Sequence, residues 1–173
     1  CLESVREIAD EIVIVDTGST DRTIEIAQMY GAKIYHFPWI DDFSAARNES
    51  LKHCTGEWIL YLDADERITP ESVQVIRDLV TYSSDEMAAY ICTIESLHLQ
   101  IDGKTEMHRG GYPRLFRNYG YPTIQFQGRV HEQITPSLFA LRKTVDFSDV
   151  VILHLGYDTS REVMEQKVRR NYS

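Results

Sequence analysis

The first half of the chain alternates two kinds of apolar pattern. Leu2, Val5, Ile8 and Ala9 recur at helical spacing, which predicts the end of an amphipathic helix over residues 1–9. Glu11–Val15 (EIVIV) is a β-branched run without helical period, as expected for a buried parallel strand. The polar turn Asp16-Thr17-Gly18-Ser19-Thr20-Asp21 follows it. A helix over about 21–30 comes next, with Ser19 or Thr20 as N-cap and Gly31 as its stop. Ala32–Phe37 reads as the second strand, Phe43–His53 as a second helix, and Glu57–Leu62 as a third strand that ends in Asp63-Ala64-Asp65. Thr69-Pro70-Glu71 opens another helix, with a capping hydroxyl, Pro at the first helical position and an acid in the first turn.

The order β-α-β-α-β-α predicts an α/β fold with a mainly parallel central sheet and helices on both faces. Ligands in such sheets bind beyond the carboxyl ends of the strands. Asp16 and the Asp63/Asp65 pair fall at two such ends, so the topology is expected to gather them. The second half reads differently. Met87–Leu99 is a long strand candidate, Asp102-Gly103 a hairpin turn, and residues 114–117, 129–134 and 149–153 are shorter strand candidates. Gly110-Gly111 and Tyr119-Gly120 punctuate them, and a last helix is expected over about 160–171. No linker divides the chain. Residues 1–173 read as a single domain whose two halves, 1–86 and 87–173, differ in pattern.

Composition narrows the function classes. Ten Tyr, six Phe and two Trp, with 43% hydrophobic residues, exclude intrinsic disorder. The formal net charge of −9 argues against a protein built to grip nucleic acid or an anionic membrane. No apolar run reaches the ~18 residues of a transmembrane helix. Cys1, Cys54 and Cys92 are widely spaced and read as free thiols, so a cytoplasmic location is expected. The chain opens at Cys1 inside a helical pattern, which reads as a fragment of a longer chain.

Two carboxylates two residues apart on an extended chain lie on one side. At a strand end, Asp63 and Asp65 repel unless something neutralises them; a hard divalent cation does that with oxygen ligands and can bridge to a diphosphate. Solvated loop acids are the alternative. Asp16 is placed to accept hydrogen bonds from a base or ribose, or else to cap its own turn. Arg47, beside the small Ala45 and Ala46, can reach a base or phosphate with its planar fork. Glu132, after His131, is a candidate general base. His154 stands among apolar residues.

Taken in order, VDTGSTD (15–21), FSAARNESL (43–51), GEWILYLDADE (56–66), GRVHEQI (128–134) and HLGY (154–157) resemble the family 2 glycosyltransferases of the GT-A fold. The nearest look-alikes are bacterial members, some fused to tetratricopeptide repeats. The resemblance implies an inverting transfer of a sugar from a nucleotide-diphospho-sugar, with a UDP-sugar favoured and an acceptor for which the sequence carries no code. It implies Mg²⁺ or Mn²⁺ as cofactor. Asp65, Asp63 and His154 match the metal site, Asp16, Arg47 and Asp63 the nucleotide contacts, and Glu132 the catalytic base. The family's first strand, which precedes the helix at 1–9, has no counterpart here. Two alternatives stand beside this one: a haloacid-dehalogenase-like phosphatase with Asp63 as nucleophile, and a non-catalytic sugar-nucleotide-binding module.

Overall fold

The computed structural model describes residues 1–99 and 105–155. Twelve elements follow one another there: α1 (Leu2–Val5), β1 (Val13–Asp16), α2 (Thr23–Met29), β2 (Lys33–His36), α3 (Phe43–His53), β3 (Trp58–Leu60), β4 (Glu66–Ile68), α4 (Pro70–Tyr82), β5 (Met87–Leu99), β6 (Thr105–Arg117), α5 (Thr135–Ala140) and β7 (Thr144–His154). The helices and strands predicted in the first half are all present, α3 with the predicted ends and most of the others shorter. The Asp102-Gly103 turn and the helix expected over 160–171 lie outside the described residues.

Local chemistry sets several boundaries. Asp42 caps α3 by accepting the N–H of Ala45 at 3.0 Å. Pro70 stands in the first turn of α4, where its missing N–H costs nothing. Gly31, at φ 71°, takes the left-handed conformation that ends α2. Neither Ser19 nor Thr20 caps α2. Asp21 instead accepts the N–H of Thr23 at 2.9 Å.

The sheet differs from expectation in its hand of pairing. β1 and β2 form a parallel two-stranded sheet, as a β-α-β unit requires. The other strands form a five-stranded sheet in the order β3-β6-β5-β7-β4. Only β5–β7 is parallel in it, and β3–β6, β5–β6 and β4–β7 are antiparallel. The reason is connection length. β5 and β6 are joined too closely for a crossover, whereas the segment carrying α5 is long enough to bring β7 back alongside β5 in parallel.

Helices do cover both faces of this sheet. On one, Val5 of α1 and Ile76 of α4 pack on Ile68, Cys92, Ile94, Val150 and Ile152. On the other, Leu51 of α3 and Leu138 of α5 pack with Ile59, Ala89, Phe116, Ile124 and Phe126. β1, read as a buried strand, is only half-buried through Val15, and Asp16 is its one buried residue. The three cysteines are free, as expected. Burial pushes the Cys54 thiol up to about 11, which keeps it protonated and unreactive.

Three second-half expectations change. Gly110 and Gly111 lie inside β6 and do not mark a turn. A Cβ on Gly111 would stand 3.0 Å from the Ile91 side chain across the ladder, a tight contact that glycine avoids. Residues 129–134 do not form a strand. They make an irregular loop held by a single bridge, Gln127 to Gln133, with Gly128 at φ 102° and His131 at φ 60°. α5, unpredicted, starts just past this loop.

Below the β1–β2 sheet, Glu11 is tied to Lys33 at 2.7 Å and to the N–H of Thr55 at 2.8 Å. The Lys33 ammonium, then the Thr55 N–H, hold its carboxyl at about 2, against an ordinary 4.5. A depressed carboxyl stabilises the fold above its unfolded value and loses that effect as pH falls through the folded one. The stability difference between the parent and Glu11→Gln is therefore expected at neutral pH, shrinking between 4.5 and about 2. Urea unfolding at a series of pH values checks it, and a pH-independent difference would refute it.

Candidate active site

Three of the residues singled out in the sequence meet directly. Arg47, on α3, donates from Nη2 to Asp63 Oδ1 at 2.6 Å and from Nε to Glu132 Oε1 at 2.5 Å. The two carboxylates come from positions 63 and 132, and one guanidinium holds both. The spacing within α3 allows it. Phe43 and Ser44 tie the helix start to the 128–129 backbone, through Phe43 N–H to Arg129 O at 3.1 Å and Ser44 Oγ to Gly128 O at 2.5 Å. One turn later Arg47 faces the same loop. Asn48 locks that loop by exchanging two hydrogen bonds with the backbone of Phe126, at 2.7 and 3.0 Å. Gly128 and His131 supply the left-handed turns that bring Glu132 inward.

Electrostatics favours the charged forms here. Burial works against the Arg47 cation, but Asp63 and Glu132 outweigh it and raise its pKa. Burial likewise pushes the Asp63 carboxyl up, and the Arg47 and Arg114 guanidiniums more than reverse it, so its value falls below 3.8. The Tyr61 ring is a platform for both cations, with Arg47 5.1 Å and Arg114 4.3 Å from its centroid.

Asp65 points elsewhere. Its Oδ2 lies 3.3 Å from His154 Nε2, and His154 Nδ1 lies 3.2 Å from Ser96 Oγ. The N–H of Leu155 donates to the Asp65 carbonyl at 2.9 Å, so the end of β7 carries His154 to the aspartate turn. Of the three residues expected to bind metal, the structure pairs Asp65 with His154 and turns Asp63 to Arg47. Among the described residues no group of three or more His, Cys, Asp or Glu is arranged to hold a metal ion. The donor set still suits Mg²⁺ or Mn²⁺. Such ions bind through one or two carboxylates plus substrate phosphates and water, and need no all-protein cage.

Asp16 is 7% exposed. It accepts the N–H groups of Gly18 at 3.1 Å and Ser19 at 3.2 Å, and His36 Nδ1 lies 3.6 Å away. The Ser19 bonds chiefly hold its carboxyl below the usual range. These contacts are within its own turn and with β2, not with the Arg47 cluster. Sequence reasoning missed Glu66, Arg114, Tyr61 and Phe126. Glu66 was visible as a third acid beside the pair, and Arg114 was read only as part of a strand.

Several known proteins are similar to this chain. A TPR repeat-containing protein of Synechococcus elongatus is 40% identical over 167 residues, covering 93% of this chain and 39% of its own length. The SPbeta prophage-derived glycosyltransferase SunS of Bacillus subtilis is 31% identical over 180 residues, covering 99% of this chain and 39% of its own. The chain thus spans well under half of either relative. Among solved structures, S. aureus TarS superposes with a TM-score of 0.59 at 17% identity over 92% of this chain and 32% of TarS. TarS 1-349 in complex with UDP-GlcNAc gives 0.57 at 17% identity over 98% of this chain and 61% of that one. The fold is of the GT-A type. Residues 1–147 match the family described as "Glycosyl transferase family 2", and the chain belongs to that family.

Proposed function

We propose that this chain carries the donor site of an inverting glycosyltransferase that uses a nucleotide-diphospho-sugar, a UDP-sugar in preference. The observation that carries the reading is the convergence of Glu132, Arg47 and Asp63 beside the Asp65–His154 pair. The fold likeness to TarS, whose structure holds UDP-GlcNAc, supports the choice of donor. Family membership favours transfer over the phosphatase alternative. So does the Asp63 carboxylate, which is engaged by Arg47 and poorly placed to act as a nucleophile.

In this reading Glu132 is the general base. Arg47 holds its Oε1, and Oε2 takes the proton from the acceptor nucleophile as that nucleophile bonds to the anomeric carbon. The bond from that carbon to the diphosphate breaks on the opposite face, and the diphosphate leaves with the electron pair. Asp16 faces the base or ribose end. Asp65 and His154 would hold Mg²⁺ or Mn²⁺, with Asp63 beside them, and the bound ion would neutralise charge on the leaving diphosphate.

The test uses the full-length protein. UDP release is followed with a panel of UDP-sugars, with and without Mn²⁺, in the parent and in Asp65→Ala. We expect Mn²⁺-dependent release in the parent and a fall of about 10²–10³-fold in the variant, as for loss of a group that stabilises developing charge. Release that needs no metal and survives Asp65→Ala would remove the metal assignment. Absence of UDP release and of UDP binding would remove the donor reading.

A further inference from the structure

The aspartate turn is fixed by a residue pair to which neither the sequence reading nor the family likeness gave a task. β5 and β6 lose register at one place. Tyr90 pairs with Leu115 and Ile91 with Pro113, so Arg114 has no partner across the ladder. An extra residue of this kind bends a strand and re-aims its side chain. Arg114 is turned into the protein, 8% exposed, and its guanidinium meets both oxygens of Glu66 at 2.8 and 2.9 Å. Glu66 is itself 2% exposed.

Glu66 also closes the turn twice. Its Oε2 accepts the N–H of Asp63 at 2.8 Å, and its own N–H donates to the Asp63 carbonyl at 2.9 Å. Arg114 Nη2 then stands 3.9 Å from Asp63 Oδ2, on the side opposite the Arg47 bond to Oδ1. Three acids in four residues repel one another. Drawing Glu66 inward leaves Asp63 and Asp65 to face the site.

Stability alone does not account for this pair. A buried ion pair is often replaceable by apolar residues of similar volume without loss of stability. Arg114 adds to the burial cost, because its Nε is buried without a hydrogen-bond partner. We propose that Glu66 and Arg114 are positioning residues that lock the 63–66 turn, so that Asp63 stays on Arg47 and Asp65 on His154 for a metal-bound nucleoside diphosphate. This rests on the donor reading above.

The probes are UDP and Mn²⁺, titrated into the full-length protein by calorimetry well below the melting temperature, alongside thermal unfolding. The double variant Glu66→Leu/Arg114→Met replaces the pair by apolar bulk. It is expected to keep a near-parental Tm while binding UDP in the presence of Mn²⁺ at least tenfold more weakly. The Mn²⁺-independent part of UDP affinity is expected to stay within about twofold. Arg114→Lys keeps the charge and loses the fork, and an intermediate loss is expected. A folded double variant with parental UDP–Mn²⁺ affinity would overturn the proposal, as would equal losses with and without Mn²⁺. If the double variant does not fold, Arg114→Lys decides by the same two affinities. A parent that binds no UDP refutes the donor reading itself, an outcome distinct from a parent that binds and variants that bind equally well.

Discussion

Replacing Glu132 by Gln is expected to lower sugar transfer by about 10²–10⁴-fold while leaving UDP affinity and Tm close to the parent's. The argument is geometric. The Glu132 carboxylate reaches the site only because Gly128 and His131 turn the loop and because Arg47 Nε fixes Oε1 at 2.5 Å. Gln keeps the volume and can offer its amide oxygen to the same Nε–H. The loop is then undisturbed, and what disappears is a group that can take a proton from the acceptor. The loss should therefore lie in kcat, with little change in donor KM. An undiminished kcat would exclude Glu132 as the base. A loss confined to KM would make Glu132 a donor-binding group that acts through Arg47.

The residues of this loop also show how far the sequence could be read. The FSAARN and DADE blocks stand on or beside elements whose patterns are strong: a capped α3, and an apolar strand ahead of a Pro-started α4. Local rules placed these correctly. Topology placed Asp16 and the Asp63/Asp65 pair at strand ends, but it did not foretell that Arg47, on a helix, would bond Asp63. The meeting of Arg47 with Glu132 did not follow from pattern. Residues 129–134 read as a strand candidate, yet Gly128 just before them and His131 within them turn the chain, and Phe43 and Ser44 at the start of α3 draw the 128–129 backbone in. Tertiary contacts overrode the period. The pairing of β6 was hidden for a related reason. Gly110-Gly111 carries the chemistry of a turn, but here it meets the need for close approach to Ile91. The bulge that aims Arg114 at Glu66 leaves no trace in periodicity at all, since a single skipped partner does not change which neighbours are apolar.

Arg47→Met is expected to cost both stability and donor binding, and its pH dependence shows why. Without the guanidinium, Asp63 and Glu132 share one partly buried site with no charge between them. Breaking a buried pair by removing one partner costs about 3–5 kcal/mol. The Asp63 side chain is 38% exposed, and solvent screening brings the expectation down to about 2 kcal/mol. The sign with pH follows from Asp63. Burial raises its carboxyl pKa, but Arg47 and Arg114 pull it below the ordinary 3.8, so the folded state binds the proton less readily than the unfolded one. That contribution is complete above 3.8 and fades as pH falls through the lower folded value. Removing Arg47 deletes most of it. The stability gap between parent and variant should thus be widest at neutral pH and narrow in acid, measured by urea unfolding at each pH. Arg47→Lys should recover part of the gap, because one ammonium restores the charge but cannot reproduce the Nε and Nη2 bonds together. A gap that is absent at pH 7, or that holds constant into acid, would mean that the guanidinium does not neutralise these two acids in solution. The assembly of the site around Arg47 would then have to be abandoned.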